Sequence, residues 1–260
     1  MRTVPRTGVC VERIVPDDLD PGKAVRHALA RAISRDSGGV LDASSVHHVA
    51  RMAVPSMKRW ESGALLRCRF LDGSATMRRK VEEVAHRWEE FANIRFQFVT
   101  SGDAEIRISF YADSGSWSAV GNDALLTQYF PSHQPTMNYG WLRDSTDADE
   151  YSRVVLHEFG HALGAIHEHQ SPSFSRQWNV QKVIEVFSGP PNYWSESAIR
   201  HNVLEKYSSQ GMIMTLYDPD SIMLYMFSDD LFADGLGATN NNTSLSAMDK
   251  SFIQRLYPAN

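Results

Sequence analysis

Residues 156–170 carry four of the ten histidines in this 260-residue chain, and three of them stand at a spacing that suits one metal ion. His157 and His161 are four positions apart, so on an α-helix both imidazoles leave the same face. Gly164 can adopt the left-handed conformation that ends a helix, which allows His167 to approach the same point. Three nitrogen ligands leave one position open, as in catalytic zinc sites. We therefore predict one catalytic Zn²⁺ ion bound by His157, His161 and His167.

Glu158 directly follows the first predicted ligand, and its position is that of a base for hydrolysis. It lies about 100° around the helix from His157. From there a carboxylate can hydrogen-bond a metal-activated water without binding the metal itself. The motif therefore predicts a zinc hydrolase with Glu158 as its general base. It leaves open an aminopeptidase, another zinc hydrolase and a non-catalytic zinc-binding module.

Composition limits the classes of partner. The net charge of −5 and the pI near 6.0 predict no nucleic-acid partner. No apolar run reaches the roughly 18 residues that span a membrane, and the N-terminus lacks the apolar core of a signal peptide. We expect no membrane partner and a monomer, and we leave the localisation open between the cytosol, unconventional export and an effector-like role. Cys10 and Cys68 are too few for a disulfide framework; the alternative is a single bridge between them, and we expect two unpaired thiols.

Alternation and helical spacing predict the elements around the motif. Their order of strands and helices describes a mixed sheet with helices packed against it. Each longer strand alternates apolar with polar residues, so we expect one buried and one exposed face. The predicted elements are a strand at 65–71, a helix that carries Met77 to Phe91, strands at 94–98 and 106–110, a short strand at 136–141, and the metal helix from about 148–152 to Gly164.

The remaining segments give shorter or weaker signals. Residues 113–135 are rich in Gly, Ser, Asp and Pro and are expected to form mostly loop. Ser246 and Asp249 form a predicted capping box that opens a last helix, which Pro258 ends. We also predict a small amphipathic helix after Asp20-Pro21, surface positions for His47 and His48, a helix at 180–187 and short helices within 195–207.

A second constellation lies at residues 221–225, which read SIMLY and follow a predicted turn at 217–220. The extended zinc motif followed by a methionine-containing turn resembles the metzincins. The pair His167 and Glu168, together with Ser-Ile-Met-x-Tyr, is similar to the astacin branch of that clan. The resemblance covers roughly residues 60–260.

The resemblance implies an α+β fold in two parts. An N-terminal subdomain would hold a mixed twisted sheet and two long helices, an irregular C-terminal subdomain would follow, and the active-site cleft would lie between them. Residues 61–260 would form the metalloprotease catalytic domain, with the break between subdomains near 165–170. Residues 1–60 would be an N-terminal extension or a pro-like segment of unclear role.

The resemblance also implies an activity and roles for further residues. It implies a zinc endopeptidase, whose partner is a protein or peptide substrate. Met223 would form an apolar floor under the zinc ligands. Tyr225 would be a weak fifth metal ligand that also stabilises the oxyanion of the tetrahedral intermediate. Substrate would bind as an added strand along residues 106–111, which begin with Ile106 and end with Tyr111.

The chain departs from the astacin pattern in its cysteines and in its N-terminus. In secreted astacins the mature N-terminal ammonium pairs with the glutamate that corresponds to Glu168. This sequence has no obvious cleavage boundary before the domain, so we expect Glu168 to meet an internal cation or a loop. The cysteines of the astacin disulfides are missing. We interpret Cys10 as a small buried residue or free thiol; the alternative is an inhibitory thiol, because a thiolate can fill the open zinc position.

Overall fold

The computed structural model describes residue 10 and residues 54–55, 57–190, 192–210 and 212–259. The helix predicted after Asp20-Pro21 and the predicted surface histidines His47 and His48 lie outside these residues. Within the described ranges no helix is long and apolar enough to cross a membrane. Cys10 and Cys68 are buried and form no disulfide with each other, as predicted.

Among the described residues, seven strands form two sheets. They are β1 (Val54–Pro55), β2 (Leu65–Phe70), β3 (Arg95–Phe98), β4 (Ile106–Ser109), β5 (Ser116–Ser118), β6 (Met137–Tyr139) and β7 (Met212–Ile213). The main sheet has the order β3-β2-β4-β6-β5. Its first four strands run parallel and β5 pairs antiparallel with β6, so the sheet is mixed, as predicted. The second sheet is the antiparallel pair of β1 and β7.

Within the described part of the chain, five α-helices accompany the sheets: α1 (Ala75–Ala85), α2 (Ala148–Ala162), α3 (Val180–Ser188), α4 (Glu196–Ile199) and α5 (Ala247–Leu256). The helix predicted through Phe91 is α1 followed by a 3₁₀ segment at His86–Glu90. The side chain of Asp147 accepts from the Glu150 amide and starts α2, which packs against α1. Together with the irregular C-terminal half, the sheet and helices confirm the predicted α+β class.

The strand at 106–110 differs from its prediction in both burial and position. β4 lies between β2 and β6, and all four of its residues are buried. It is therefore an interior strand, and the prediction that substrate pairs with residues 106–111, from Ile106 to Tyr111, is wrong because β4 has strand neighbours on both sides. The alternation of polar residues misled because Arg107 is buried with satisfied donors. Its guanidinium donates to the carbonyl oxygens of Ala104 at 3.0 Å, Phe130 at 2.9 Å and Gln134 at 2.7 Å.

The last strand of the described main sheet is β5, inside the segment predicted to be mostly loop. β5 has only three residues, Ser116 to Ser118, and all are buried. Strand prediction relies on alternation over about 4–8 residues, which this run is too short to display. In the described sheet β5, and not β4, is therefore the terminal strand on this side.

The segment before β2 joins both halves of the fold. β1 pairs with β7 in the C-terminal half. Lys58 is 2% exposed and bonds both carboxylate oxygens of the fully buried Asp123, at 2.8 and 3.1 Å. Gly121 has φ of 54°, and a Cβ there would lie 1.8 Å from the Lys58 carbonyl oxygen, so only glycine allows this approach. Trp60 donates its indole N–H to the Ala162 carbonyl at 2.7 Å. Lys58 and Trp60, which precede residue 61, are therefore part of the core.

Candidate metal centre

The three predicted histidine ligands come together beside the C-terminal end of α2. His157 and His161 leave one face of this helix, which ends at Ala162. Gly164 has φ of 99°, the left-handed conformation expected there, and the turn brings His167 to the other two imidazoles. The ring centroid of His161 lies 4.8 Å from that of His157 and 4.6 Å from that of His167. All three side chains are buried.

Each imidazole is oriented by a hydrogen bond through its Nδ1 atom. These acceptors are amide or carbonyl oxygens, which cannot donate, so each Nδ1 carries the proton and each Nε2 keeps its lone pair. The acceptors are Ile222 O for His157 at 2.8 Å, Ala165 O for His161 at 2.8 Å and Gln170 Oε1 for His167 at 3.1 Å. The three Nε2 atoms are thereby prepared as ligands.

The donor atoms fit a zinc ion. Nε2 of His157 is buried and has no hydrogen-bond partner among the described residues. Nε2 of His161 lies 3.1 Å from Nε2 of His167. Burial lowers the pKa of His161 to about 4 and the pKa values of the other two histidines well below their usual range, so all three imidazoles are neutral. One ligand atom from each histidine, together with the Cys10 sulfur, lies within 4.8 Å of the others.

Glu158 lies beside this cluster and outside the ligand set. Its side chain is 1% exposed. Burial raises its pKa to about 8, against the opposing effects of a hydrogen bond from Cys10 and the positive charge of Arg153. The Cys10 thiol donates to Glu158 Oε2 at 3.2 Å. A carboxyl with a pKa near neutrality can both accept and return a proton.

Cys10 is the residue of this cluster whose position was hardest to predict from the sequence. No local pattern links it to Glu158, from which it is 148 positions distant in the chain. The structure places its sulfur in the histidine cluster, and its carbonyl oxygen accepts from the Tyr225 hydroxyl at 2.5 Å. The alternative of an inhibitory thiol was the only sequence-based idea that placed Cys10 near the metal.

Tyr225 also reaches the cluster, as the resemblance implied. Its hydroxyl contacts Nε2 of His167, and its ring stacks on His157 with centroids 5.3 Å apart. Two residues earlier, Met223 packs under the histidine helix. A Cβ at Gly160 would lie 2.3 Å from the Met223 sulfur, so the absence of a side chain at Gly160 lets the methionine approach.

Asp249 supports the methionine-containing turn through two hydrogen bonds. It accepts from the Ser221 hydroxyl at 2.9 Å and from the Ile222 amide at 2.8 Å. The Ile222 carbonyl then accepts from His157. The capping box with Ser246 is present as predicted, but the support that Asp249 gives to this turn had no sequence signal.

Glu168 and Gln170 have separate roles beside His167. Glu168 Oε1 accepts from the Asp218 amide at 2.8 Å, so the glutamate meets a loop, one of the two partners expected. Burial raises the pKa of Glu168 well above its usual value. Gln170 receives the Nδ1 proton of His167 and donates to the His201 carbonyl at 2.6 Å. Gln170 was missed because its role depends on this tertiary contact.

Comparisons with known proteins agree with this geometry. The matrixin family model matches residues 68–181. One solved structure of myroilysin is 42% identical, covers 80% of this chain and 99% of its own, and superposes with a TM-score of 0.77. A second myroilysin crystal structure is 38% identical, covers 85% of this chain and 95% of its own, and has a TM-score of 0.61.

A third solved structure shares the fold. It is high choriolytic enzyme 1, a hatching enzyme zinc-protease from the medaka fish Oryzias latipes, at 19% identity and a TM-score of 0.51, with 79% of this chain and 96% of that chain covered. No curated protein matches the chain. The family match, the myroilysin likeness over nearly the whole of that protein and the histidine cluster lead to one conclusion. The chain belongs to the metzincin family of zinc metallopeptidases, and its cofactor is one catalytic zinc ion.

Proposed function

We propose that this protein is an astacin-like zinc endopeptidase with Glu158 as its general base. The observation that carries the proposal is the convergence of three neutral, buried imidazoles on one point, with the Glu158 carboxyl beside it. Three histidines rather than four ligands suit a catalytic ion. A peptidase of this kind takes proteins or peptides as substrates.

His157, His161 and His167 would hold the ion through their Nε2 atoms. Bound zinc supplies Lewis acidity, which lowers the pKa of a water and polarises a peptide carbonyl. Glu158 would accept the proton of the attacking water and then give it to the leaving amine. Its pKa of about 8 supports both transfers near neutral pH. The Tyr225 hydroxyl would donate to the developing oxyanion.

The astacin-like subtype rests on the C-terminal half of the chain. The matrixin match ends at residue 181, before the turn that carries Met223 and Tyr225. The Tyr225 hydroxyl lies against His167, which supports its proposed role as a weak metal ligand as well as an oxyanion donor. A phenol is suited to both tasks because it can bind through oxygen and donate a hydrogen bond.

We place the substrate along β5 instead of the interior strand β4. β5 is an edge strand of the described sheet and packs against α2, the helix that carries His157. An extended peptide can add to such an edge through main-chain hydrogen bonds. It would then run antiparallel to β5 and present its scissile bond to the metal centre.

In the described structure, Cys10 would inhibit the enzyme by blocking its active site. Its sulfur lies within 4.8 Å of a ring nitrogen of each histidine and could be a fourth zinc ligand, its thiol donates to Glu158, and its carbonyl oxygen accepts from the Tyr225 hydroxyl. Cys10 would thus block the metal position, Glu158 and the Tyr225 hydroxyl, which are the three groups proposed to act on substrate. The catalytic unit would begin no later than Val54, because β1 and Lys58 are built into its fold.

The proposal is tested by digestion of casein with the full-length Cys10→Ala chain. We expect cleavage faster than by the parent, because the substitution removes the thiol from the metal and from Glu158. A chelator that removes zinc should abolish cleavage, and added Zn²⁺ should restore it, with one zinc per chain by elemental analysis. Cleavage that continues at full rate in a zinc-free protein would exclude the proposed mechanism.

A further inference from the structure

A π-helical turn, Arg200–Leu204, directly follows α4 and contacts the short 3₁₀ turn that comes after the third histidine. In an α-helix the Glu205 amide would donate to the His201 carbonyl oxygen. Here it donates to the Arg200 carbonyl oxygen at 2.8 Å, which leaves the His201 carbonyl for another donor. Single π turns within helices are common at functional sites. We call residues 200–207 the π segment.

The π segment holds Gln170 at its side chain and at its main chain. The Nε2 atom of Gln170 donates to the carbonyl oxygens of His201 at 2.6 Å and Glu205 at 3.4 Å. The Gln170 carbonyl oxygen accepts from the Tyr207 amide at 2.9 Å. Because carbonyl oxygens can only accept, Nε2 faces them and Oε1 points the other way. A glutamine has several rotatable bonds, so these contacts keep its acceptor oxygen in one position.

His167 is the proposed zinc ligand that uses this acceptor. Its Nδ1 donates to Gln170 Oε1 at 3.1 Å. The Nδ1 acceptors of His157 and His161 are main-chain carbonyl oxygens, which the fold fixes directly. The orientation of His167 therefore depends on a side chain, and that side chain depends on the π segment.

The π segment also supports the face of the His167 ring. The His169 ring stacks on it with centroids 5.1 Å apart, and its Nε2 donates to the Asn202 carbonyl at 3.1 Å. Two consecutive carbonyl groups, those of His201 and Asn202, thus hold the side chains at the edge and at the face of one imidazole.

We propose that the π segment is a positioning element of the metal centre, and that Gln170 is the positioning residue through which it orients His167. The inference rests on the proposed function, because it takes His167 as a zinc ligand. An acceptor on the far nitrogen of a ligating histidine fixes the tautomer and the ring orientation and makes the other nitrogen a stronger ligand. Zinc affinity should therefore depend on a segment that supplies none of the proposed ligands.

Zinc affinity tests the part played by Gln170. It is measured by competition with a chromophoric chelator in the full-length Cys10→Ala chain, where the imidazoles bind without the thiol. Gln170→Met should weaken zinc binding by about 10–100-fold, because methionine has a similar length but its thioether is a weak acceptor. Gln170→Glu should recover most of this loss, since a carboxyl oxygen accepts from His167 Nδ1 whether or not the group is ionised.

Asn138→Leu is the matched control for the loss of a buried amide. Asn138 is 0% exposed, and its side-chain oxygen accepts from the Ser109 hydroxyl at 2.7 Å and from the Tyr111 amide at 2.8 Å. Leucine keeps the approximate size of the side chain and removes these bonds. We expect Asn138→Leu to lower the melting temperature and to leave the zinc affinity unchanged, which separates a loss of stability from a loss of ligand orientation.

Hydrogen exchange tests the part played by the π segment. Coupling between two sites is reciprocal, so zinc should in turn order this segment. In the Cys10→Ala chain we expect zinc to slow amide exchange in the π segment by about tenfold or more, as the reciprocal of its effect on affinity. α3 is the internal control, because its Val183 is fully buried in the same hydrophobic cluster as Val203 of the π segment. Exchange in α3 should change much less, and in Gln170→Met the effect of zinc on the π segment should fall to the level of α3.

Three results would overturn the inference. They are a Gln170→Met chain that binds zinc as tightly as its background, a Gln170→Glu chain as weak as Gln170→Met, and a π segment that zinc protects no more than α3. Should Gln170→Met fail to fold, the exchange of the background chain decides. His167→Ala tests the proposed function separately. If this variant binds zinc as tightly as its background, the proposed ligand set fails; if it loses zinc while Gln170→Met does not, only the role of the π segment is refuted.

Discussion

Glu158→Gln, introduced into the full-length Cys10→Ala chain, is expected to lower kcat on a peptide substrate by between about 10²- and 10⁴-fold. Glutamine has the size of glutamate and keeps the packing of this buried position, but it cannot accept the proton of the attacking water. It also has no charge, so the neighbouring histidines stay neutral and should keep their metal. The loss should therefore be in kcat with zinc content unchanged.

The measurement pairs steady-state kinetics with elemental analysis of the same sample. Glu83→Gln is the matched control, because Glu83 is an exposed glutamate of α1 that pairs with Arg79 on the helix surface. It should leave kcat unchanged. A Glu158→Gln chain that binds one zinc and cleaves as fast as its background would contradict the assignment of the base.

Asp123→Asn is expected to destabilise the fold by about 3–5 kcal/mol, the cost of leaving a buried charge without its partner. Lys58 is 2% exposed and Asp123 is fully buried, so water cannot replace the lost carboxylate. The pair also joins the segment after β1 to the loop after β5. Its loss should therefore weaken both the sheet edge and the β1–β7 pairing.

Urea unfolding of the zinc-loaded chain measures this change as a difference in the free energy of unfolding. The exposed pair of Arg79 and Glu83 provides the control, since Glu83→Gln should cost less than about 1 kcal/mol. The double variant Lys58→Met, Asp123→Leu should recover much of the loss, because no charge is then buried alone. An Asp123→Asn chain as stable as the Glu83→Gln chain would contradict the role given to this pair.

The convergence of the three histidines was predictable because their geometry is local. His157 and His161 share one helix face, and Gly164 supplies the turn that His167 needs, so the approach of three imidazoles follows from eleven consecutive residues. Tyr225 lies 58 positions beyond His167, and only the resemblance to metzincins connected them. Cys10 and Gln170 depend on contacts between distant segments, which no local period encodes.

Most strands of the main sheet could be predicted from the sequence, but their order in the sheet could not. Alternation identified β4 as a strand, yet it could not tell that a strand would lie on each side of it. Arg107 was expected to face water and is instead buried with carbonyl partners from the loop after β5. β5 itself is too short to show a period. The strand predicted to bind substrate is therefore an interior strand.

X-ray absorption at the zinc K-edge of the full-length parent chain tests most directly whether three histidines hold the ion and Cys10 fills its fourth position. The account predicts three nitrogen neighbours at about 2.0–2.1 Å and one sulfur at about 2.3 Å. Cys10→Ala should remove the sulfur and keep the nitrogens, whereas Cys68→Ala, at the other buried thiol, should change neither. A parent spectrum without sulfur, or a sulfur that persists in Cys10→Ala, would contradict the latent site, and fewer than three imidazole nitrogens would contradict the ligand set.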